Sequence, residues 1–293
     1  MKKVILILML LGASFTGFTQ VGIGTNAPHP SAALEVSSTT QGFLPPRMKE
    51  VQLRTIKNPV EGLLVYCYDC KPKGMYYYDG RTFLSTINSK PSNMKSTDVY
   101  SPATGRIWMD RNLGASRVAK SPTDEAAYGD LYQWGRNTDG HEKRNSTVVA
   151  GPVSADYKGA AFITSSSDWL APSNDKRWNL GDEKNPKKNE AYDPCPEGYR
   201  IPTESEWDGE VNSWGSKSSA EEAFESPLKL TLTGQRRYND GTYGVMETVG
   251  HYWYSKVNGV SAYRLGIRIS NTLADKRAVS RSWGLTVRCI KEQ

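Results

Sequence analysis

The stretch Asp193-Pro-Cys-Pro-Glu-Gly-Tyr-Arg-Ile-Pro-Thr-Glu-Ser-Glu-Trp207 decides how the second half of the chain reads. Thr203 and Glu206 stand at capping-box spacing, where hydroxyl and carboxylate each satisfy a backbone donor that a first helical turn leaves free. A helix therefore opens at Thr203, and Trp207, Val211 and Trp214 at i, i+4 and i+7 give it an apolar stripe facing a core. Downstream the period changes to two. Leu228/Leu230/Leu232, Tyr263/Leu265/Ile267/Ile269 and Leu285/Val287/Cys289 alternate with Lys229, Thr231, Arg264, Arg268, Thr286 and Arg288. That alternation predicts strands with one face on a core and the other toward solvent. Gly250–Ser255 reads as another strand. Upstream, Arg106–Asp110 is strand-like and Tyr132–Arg136 follows a helical turn. Residues 137–192 are polar loops held down by Phe162, Trp169 and Trp178. Residues 98–293 are thus expected to be an α+β domain with long loops and small antiparallel sheets.

Toward the N-terminus, residues 88–97 form a polar, breaker-rich linker, and residues 47–87 read as a small β module. Within it, Arg47–Lys57 is expected to be a short helix with Met48, Val51 and Ile56 on one face, stopped by Asn58-Pro59. Gly62–Tyr68, Met75–Tyr78 and Arg81–Leu84 are strand-like, the last two joined across an Asp79-Gly80 turn. Residues 21–46 form an extended stem with little apolar periodicity, ending at Pro45-Pro46, where two fixed φ angles and missing donors end regular structure. Residues 1–20 carry the pattern of a signal peptide: Lys2-Lys3, an apolar run from Val4 to Leu11, and Gly17-Phe18-Thr19-Gln20 for cleavage near Thr19 or Gln20. The run is too short to span a bilayer, so the chain is not expected to be membrane-spanning. No cysteine near the cut offers an acyl anchor. Export to the cell surface or extracellular space, with the periplasm also compatible, follows from this reading.

The chain has 293 residues, with 37 basic and 31 acidic side chains and a formal charge of +6. Removal of Lys2 and Lys3 leaves a small positive excess, scattered rather than gathered into the basic stripe that a nucleic-acid partner requires. Eight Trp, 16 Tyr and 6 Phe exclude a disordered chain. A mean hydropathy of −0.58 excludes a multi-span membrane protein. Four cysteines allow three pairings in an oxidising compartment. Cys67 and Cys70 form a C-x-x-C between two strand-like runs, which favours a local disulfide over free thiols and over metal or redox chemistry.

Two resemblances cover most of the mature chain. Val21-Gly-Ile-Gly-Thr-Asn-Ala-Pro28, Ala32-Ala-Leu-Glu-Val-Ser-Ser38, Gly42-Phe-Leu-Pro-Pro-Arg-Met48 and Gly62-Leu-Leu-Val-Tyr66 resemble the N-terminal stem of exported Bacteroidota proteins and also phage tail-fibre segments. Ile107-Trp-Met-Asp-Arg-Asn-Leu-Gly-Ala115, Tyr128-Gly-Asp-Leu-Tyr-Gln-Trp-Gly-Arg136, the opening Asp193–Trp207 stretch and Trp283-Gly-Leu-Thr-Val-Arg-Cys289 resemble the Fibrobacter succinogenes major paralogous domain. That family is similar to the C-type-lectin-like fold, including its formylglycine-generating-enzyme branch. The resemblance implies a C-type-lectin-like domain, a Cys195–Cys289 bond and a final strand pairing near the domain's beginning. It implies no activity. Tyr254–Thr286 contains no cysteine pair of the kind that binds copper in the formylglycine enzymes, and the calcium-lectin triplets Glu-Pro-Asn, Gln-Pro-Asp and Trp-Asn-Asp do not occur.

The remaining candidate chemistry is thin. Glu204 and Glu206 are explained by capping and the helix dipole. His29, His141 and His251 have no nucleophile placed beside them by a recognisable motif. Asn137-Thr-Asp139-Gly140 lacks the rest of a calcium loop, so no metal or cofactor is expected and calcium has no motif behind it. No phosphate loop or H-E-x-x-H occurs, and the chain is not expected to be an enzyme. What is left is recognition. Gln235–Tyr243 gathers Arg236, Tyr238, Asn239, Asp240 and Tyr243, with stacking rings, planar cations and polar groups suited to a glycan or a surface protein. Tyr254, Arg264, Arg268 and Arg281 are expected on the same side. The expected role is recognition or adhesion. The alternative is a structural subunit or cap of a fibre-like assembly, trimerised through the N-terminal part.

Overall fold

A computed structural model describes residues 20–87, 90, 91, 93–215, 219–269 and 274–292. The proposed signal peptide therefore lies outside the described residues, except for Gln20. In the stem, β1 (Val21–Ile23) pairs in parallel with β2 (Leu34–Val36). The module contains β3 (Arg47–Met48), α1 (Glu50–Arg54), β4 (Leu64–Cys67), β5 (Gly74–Tyr78) and β6 (Phe83–Ser85). Its sheet runs β3-β4-β5-β6. The Arg47–Lys57 expectation is corrected: the first two residues enter the sheet and the helix is five residues long. Its buried side chain is Leu53, while Val51 faces solvent. Cys67 and Cys70 are bonded at the end of β4.

The C-terminal unit opens with β7 (Asp98–Ser101) and β8 (Arg106–Met109), followed by β9 (Leu131–Gln133) and the parallel pair β10 (Val148–Ala150) and β11 (Phe162–Thr164). Next come β12 (Tyr199–Arg200), α2 (Glu204–Ser213), α3 (Ala220–Glu225), β13 (Gln235–Arg236) and β14 (Tyr243–Gly244). Last are β15 (Val249–Asn258), β16 (Ser261–Arg268), β17 (Asp275–Ser280), β18 (Gly284–Thr286) and β19 (Ile290–Lys291). One sheet is ordered β12-β19-β8-β7. The larger is β14-β13-β18-β15-β16-β17, with β9 also on β18. The final strand does pair near the start of the unit, Ile290 opposite Trp108. Cys195 and Cys289 are bonded, although Cys289 sits between β18 and β19 rather than inside a strand.

The α+β, C-type-lectin-like expectation is overturned. About 9% of the chain is helical and 30% is strand, distributed over several small sheets. The physical reason lies in the helices. The Thr203/Glu206 box forms as expected, but α2 ends after 10 residues and α3 after six. The long connections are held by side chains instead. Trp207 Nε1 donates to Trp253 O at 3.1 Å, Trp253 Nε1 to Tyr132 O at 2.7 Å, and Trp134 Nε1 to Tyr254 O at 3.0 Å. Phe162, Trp169 and Trp178 anchor their loops with little or no exposure. Trp169 Nε1 donates to Trp134 O, and Trp178 Nε1 to Arg136 O and Tyr192 O.

Two further expectations change. Leu228, Leu230 and Leu232 are buried as the alternation requires, yet 228–232 is no strand. Lys229 takes φ +47°, and Leu230 and Leu232 donate to Ala223 O and Pro122 O. The interleaved Thr231, Arg264, Thr286 and Arg288 do not face solvent; all are buried. Internal partners remove the cost of burying them. Thr286 Oγ1 donates to Thr233 Oγ1 at 2.7 Å, Thr231 N donates to Tyr252 Oη at 2.7 Å, and Arg264 pairs with Asp275.

The two disulfides differ in expected worth. Cys195–Cys289 closes a loop with a sequence separation of 94, Cys67–Cys70 one of 3. On the chain-entropy model these contribute roughly 4–5 and roughly 2 kcal/mol. Urea denaturation should show a markedly lower midpoint for Cys195→Ser/Cys289→Ser and a smaller drop for Cys67→Ser/Cys70→Ser. Equal drops would contradict this ranking.

Candidate functional site

Part of the loop singled out for recognition is engaged by the fold. Arg236 on β13 is buried, and its guanidinium turns inward. Nε donates to Gly241 O at 2.9 Å, Nη1 to Ser146 Oγ at 2.5 Å and Nη2 to Ser146 O at 2.7 Å. It lies 4.3 Å from the Phe162 ring centroid, and burial pulls its pKa below the ordinary arginine value. The Tyr243 hydroxyl donates to Arg144 O, and Tyr238 packs on Trp283 with ring centroids 5.0 Å apart. Asn239 and Asp240 are exposed at the tip. Asp240 Oδ1 accepts from the Thr242 amide and hydroxyl at 2.9 and 2.7 Å, a local turn.

The residues expected to converge with that loop are likewise engaged. Tyr254 is a core side chain beside Trp207, with ring centroids 6.3 Å apart. Arg264 and Arg268 both pair with Asp275 across β16 and β17. Burial alone would raise the Asp275 pKa; the three neighbouring guanidiniums Arg264, Arg268 and Arg277 outweigh it and hold it down. Arg281 is buried between Asp168 and Asp175, 4.6 Å from the Trp134 ring centroid. Glu206 caps Thr203 N at 2.9 Å and receives both Arg200 and Arg106; Glu204 pairs with Lys256 and Lys276.

Asp139, His141 and Glu142 form one cluster of potential metal ligands. Its wiring argues for a packing role. His141 Nε2 accepts the Gln133 amide at 3.0 Å, so the proton sits on Nδ1, which meets Asp139 Oδ1 at 2.6 Å. The ring has no lone pair left for an ion. Cys67 and Cys70, grouped with Asp69, are consumed by their disulfide.

The surface that remains unexplained is the stem. Val21↔Leu34 and Ile23↔Val36 are register partners in a parallel pair, so these four side chains share one face while Gly22 and Glu35 take the other. Local bonds set that register. Val21 N donates to Ala33 O, Ser37 N to Ile23 O, and His29 N to Glu35 Oε2, each at 2.8 Å or less. Gly24 has φ +76°, and a Cβ there would fall 2.0 Å from Ser37 O, so glycine is required for the chain to leave β1 past β2. Phe43 and Leu44 follow before Pro45 and Pro46. All six apolar side chains are between 41% and 72% exposed. A lone two-stranded sheet with a bare apolar face is marginal in water and marks an interaction surface. The sequence reading found little periodicity here; the signal was the pair of three-residue alternations, Val-Gly-Ile and Leu-Glu-Val.

Comparison with known proteins falls on the same segment. Residues 22–101 match the family model of a phage tail like trimerisation region, spanning the stem, the module, the linker and β7. No curated protein and no solved structure matches the chain. Among the described residues, no helix is long and apolar enough to cross a membrane.

The buried histidines predict an acid-sensitive C-terminal unit. His251 Nδ1 lies 2.8 Å from Gln235 Oε1, and burial, followed by Arg264 and Arg268, pulls its pKa down to about 3. Burial also lowers His141. A histidine depressed in the folded state binds its proton more readily when unfolded. Its contribution is therefore complete above about pH 6.5 and declines as pH falls toward the folded value. The difference in thermal midpoint between wild type and His251→Gln should narrow from pH 7 to pH 4. A constant difference would refute the assignment.

Proposed function

We propose that this chain is an exported structural subunit of a homotrimeric, fibre-like assembly, with the stem forming the threefold seam and the C-terminal unit carried as its head. One observation carries the reading: Val21, Ile23, Leu34 and Val36 present an apolar face that the chain leaves uncovered, in the segment that matches a trimerisation region. Three copies bring three such faces to one axis, and each further buried aliphatic side chain contributes on the order of 1 kcal/mol when about half of it is already covered.

Lys2-Lys3 and the apolar run to Leu11 support export, to the cell surface or extracellular space, with the periplasm also compatible. Kinship of residues 98–293 with the Fibrobacter paralogous-domain family rests on its four motif stretches. Adhesion to a glycan or protein through the 235–243 loop is less supported, because Arg236 is bonded inside the protein while Arg237, Asn239 and Asp240 alone among its charged and amide groups stay exposed.

Light scattering on purified residues 21–293 should give three times the chain mass. Ile23→Asp/Leu34→Asp places two charges in each copy's seam, at a cost of roughly several kcal/mol. That variant should run as a monomer and keep the near-UV spectrum of its tryptophan core. A wild-type monomer at tens of micromolar would overturn the proposal.

A further inference from the structure

Where the β module meets the C-terminal unit, two hollows of about 300 and 370 Å³ share Arg81, Thr104 and Arg106 as lining. Arg81 follows the Asp79-Gly80 turn and is exposed; its Nη1 reaches Ala103 O at 3.4 Å, across the junction. Gly105, at φ +69°, makes room for it, since a Cβ there would meet Arg81 Cδ at 3.2 Å. Arg106, at the start of β8, bonds Glu206 through Nη2, while its Nη1 is buried and has no hydrogen-bond partner. A buried donor left unmade is costly, and guanidinium forks favour planar anions that accept two bonds at once.

The negative charge nearby is already committed. Glu206 is shared by Arg106, Arg200 and the Thr203 amide. The Lys291 ammonium is held by Asn93 O and Asp98. Among the described lining residues, Glu292 alone adds an exposed carboxylate at the rim. The rest of the lining sets the hydroxyl and amide groups of Thr82, Asn93, Thr104 and Ser205 beside the apolar Pro91, Ala103 and Ile107 and two glycines. Of the three apolar side chains Pro91 is buried and Ile107 half-buried, which leaves little to anchor a peptide side chain, whereas a polyhydroxylated ring finds four hydroxyl or amide side chains.

We propose that this junction cleft binds an anionic saccharide unit, its carboxylate or sulfate ester held between Arg81 and Arg106 and its ring hydroxyls on the surrounding hydroxyl and amide side chains. The site goes beyond the trimer reading and does not depend on it, because Arg81 and Arg106 belong to one chain.

Isothermal titration calorimetry on residues 21–293 tests it with four probes: an oligogalacturonate, a sulfated oligosaccharide, a neutral oligoglucan of equal length and an oligoglutamate peptide. Saturable binding of either anionic saccharide, absent for the neutral one, is expected, and the arm that binds identifies carboxylate or sulfate as the anion. Arg81→Gln should weaken it at least tenfold and Arg81→Lys should recover part of the loss. Arg237→Gln, an equal charge change at an exposed site elsewhere, should leave it unchanged. Binding should persist in the Ile23→Asp/Leu34→Asp variant, which separates this site from the stem. The proposal is overturned if neither anionic saccharide binds, if Arg81→Gln binds as wild type, if Arg237→Gln weakens binding equally, or if oligoglutamate binds more tightly than both saccharides.

Discussion

The C-terminal unit is organised around the guanidinium of Arg288. This side chain is fully enclosed, and its hydrogen bonds end on neutral oxygens. Nε and Nη2 donate to Asn112 Oδ1 at 3.2 and 2.8 Å, and Nη1 to Leu228 O and Met109 O at 2.6 and 3.4 Å. Asn112 in turn donates through Nδ2 to Ala127 O, Tyr128 O and Thr231 Oγ1. One cation thereby fixes four segments remote in sequence. Burial pulls its pKa down to about 10, still well above neutrality, so the charge remains and the acceptors are obligatory. Such a network is stable only when complete, which explains why the backbone at 228–232 gives up strand pairing to offer its carbonyl and hydroxyl inward.

Around this centre the indole-to-carbonyl bonds of Trp207, Trp253 and Trp134 do the work that longer helices do elsewhere. The four motif stretches meet there: β8 beside β19, β9 beside β18, β12 beside β19, and Cys195 bonded to Cys289. The C-terminal unit is therefore closed on itself. The stem is the opposite case, a parallel pair with little buried surface of its own. This contrast, a satisfied head on an unsatisfied stalk, is what an assembly through the N-terminal part requires.

Much of this was legible from local signals and little from distant ones. The Thr203/Glu206 box located α2 to the residue, because capping is decided within four positions. Ser219/Glu222 carries the same signature and opens α3, a helix visible in principle but passed over. Alternation correctly named Leu228, Leu230, Leu232, Leu265 and Ile267 as core. It failed for the intervening polar side chains, since Arg288 and Asn112 lie 176 residues apart and Arg236 and Ser146 90 apart. Local pattern cannot tell a cation that faces water from one whose acceptors arrive from elsewhere. The inward turn of Arg236 was not legible for that reason. The junction cleft was invisible for the converse reason, because Arg81 and Arg106 belong to segments that only folding brings together.

The antiparallel pairing of β19 with β8 also has a mechanical meaning. The last strand of the C-terminal unit lies between β12 and β8, with the first strand, β7, beyond β8 at the sheet's edge, and Cys195–Cys289 bolts the segment before β19 to the segment before β12. A pull entering from the stalk and resisted near Arg106 passes through the module, β7 and the start of β8 without crossing the seven-stranded sheet. Tension along a fibre would then be borne first at the neck, and it would reach the Arg288 centre through Met109 O at the end of β8.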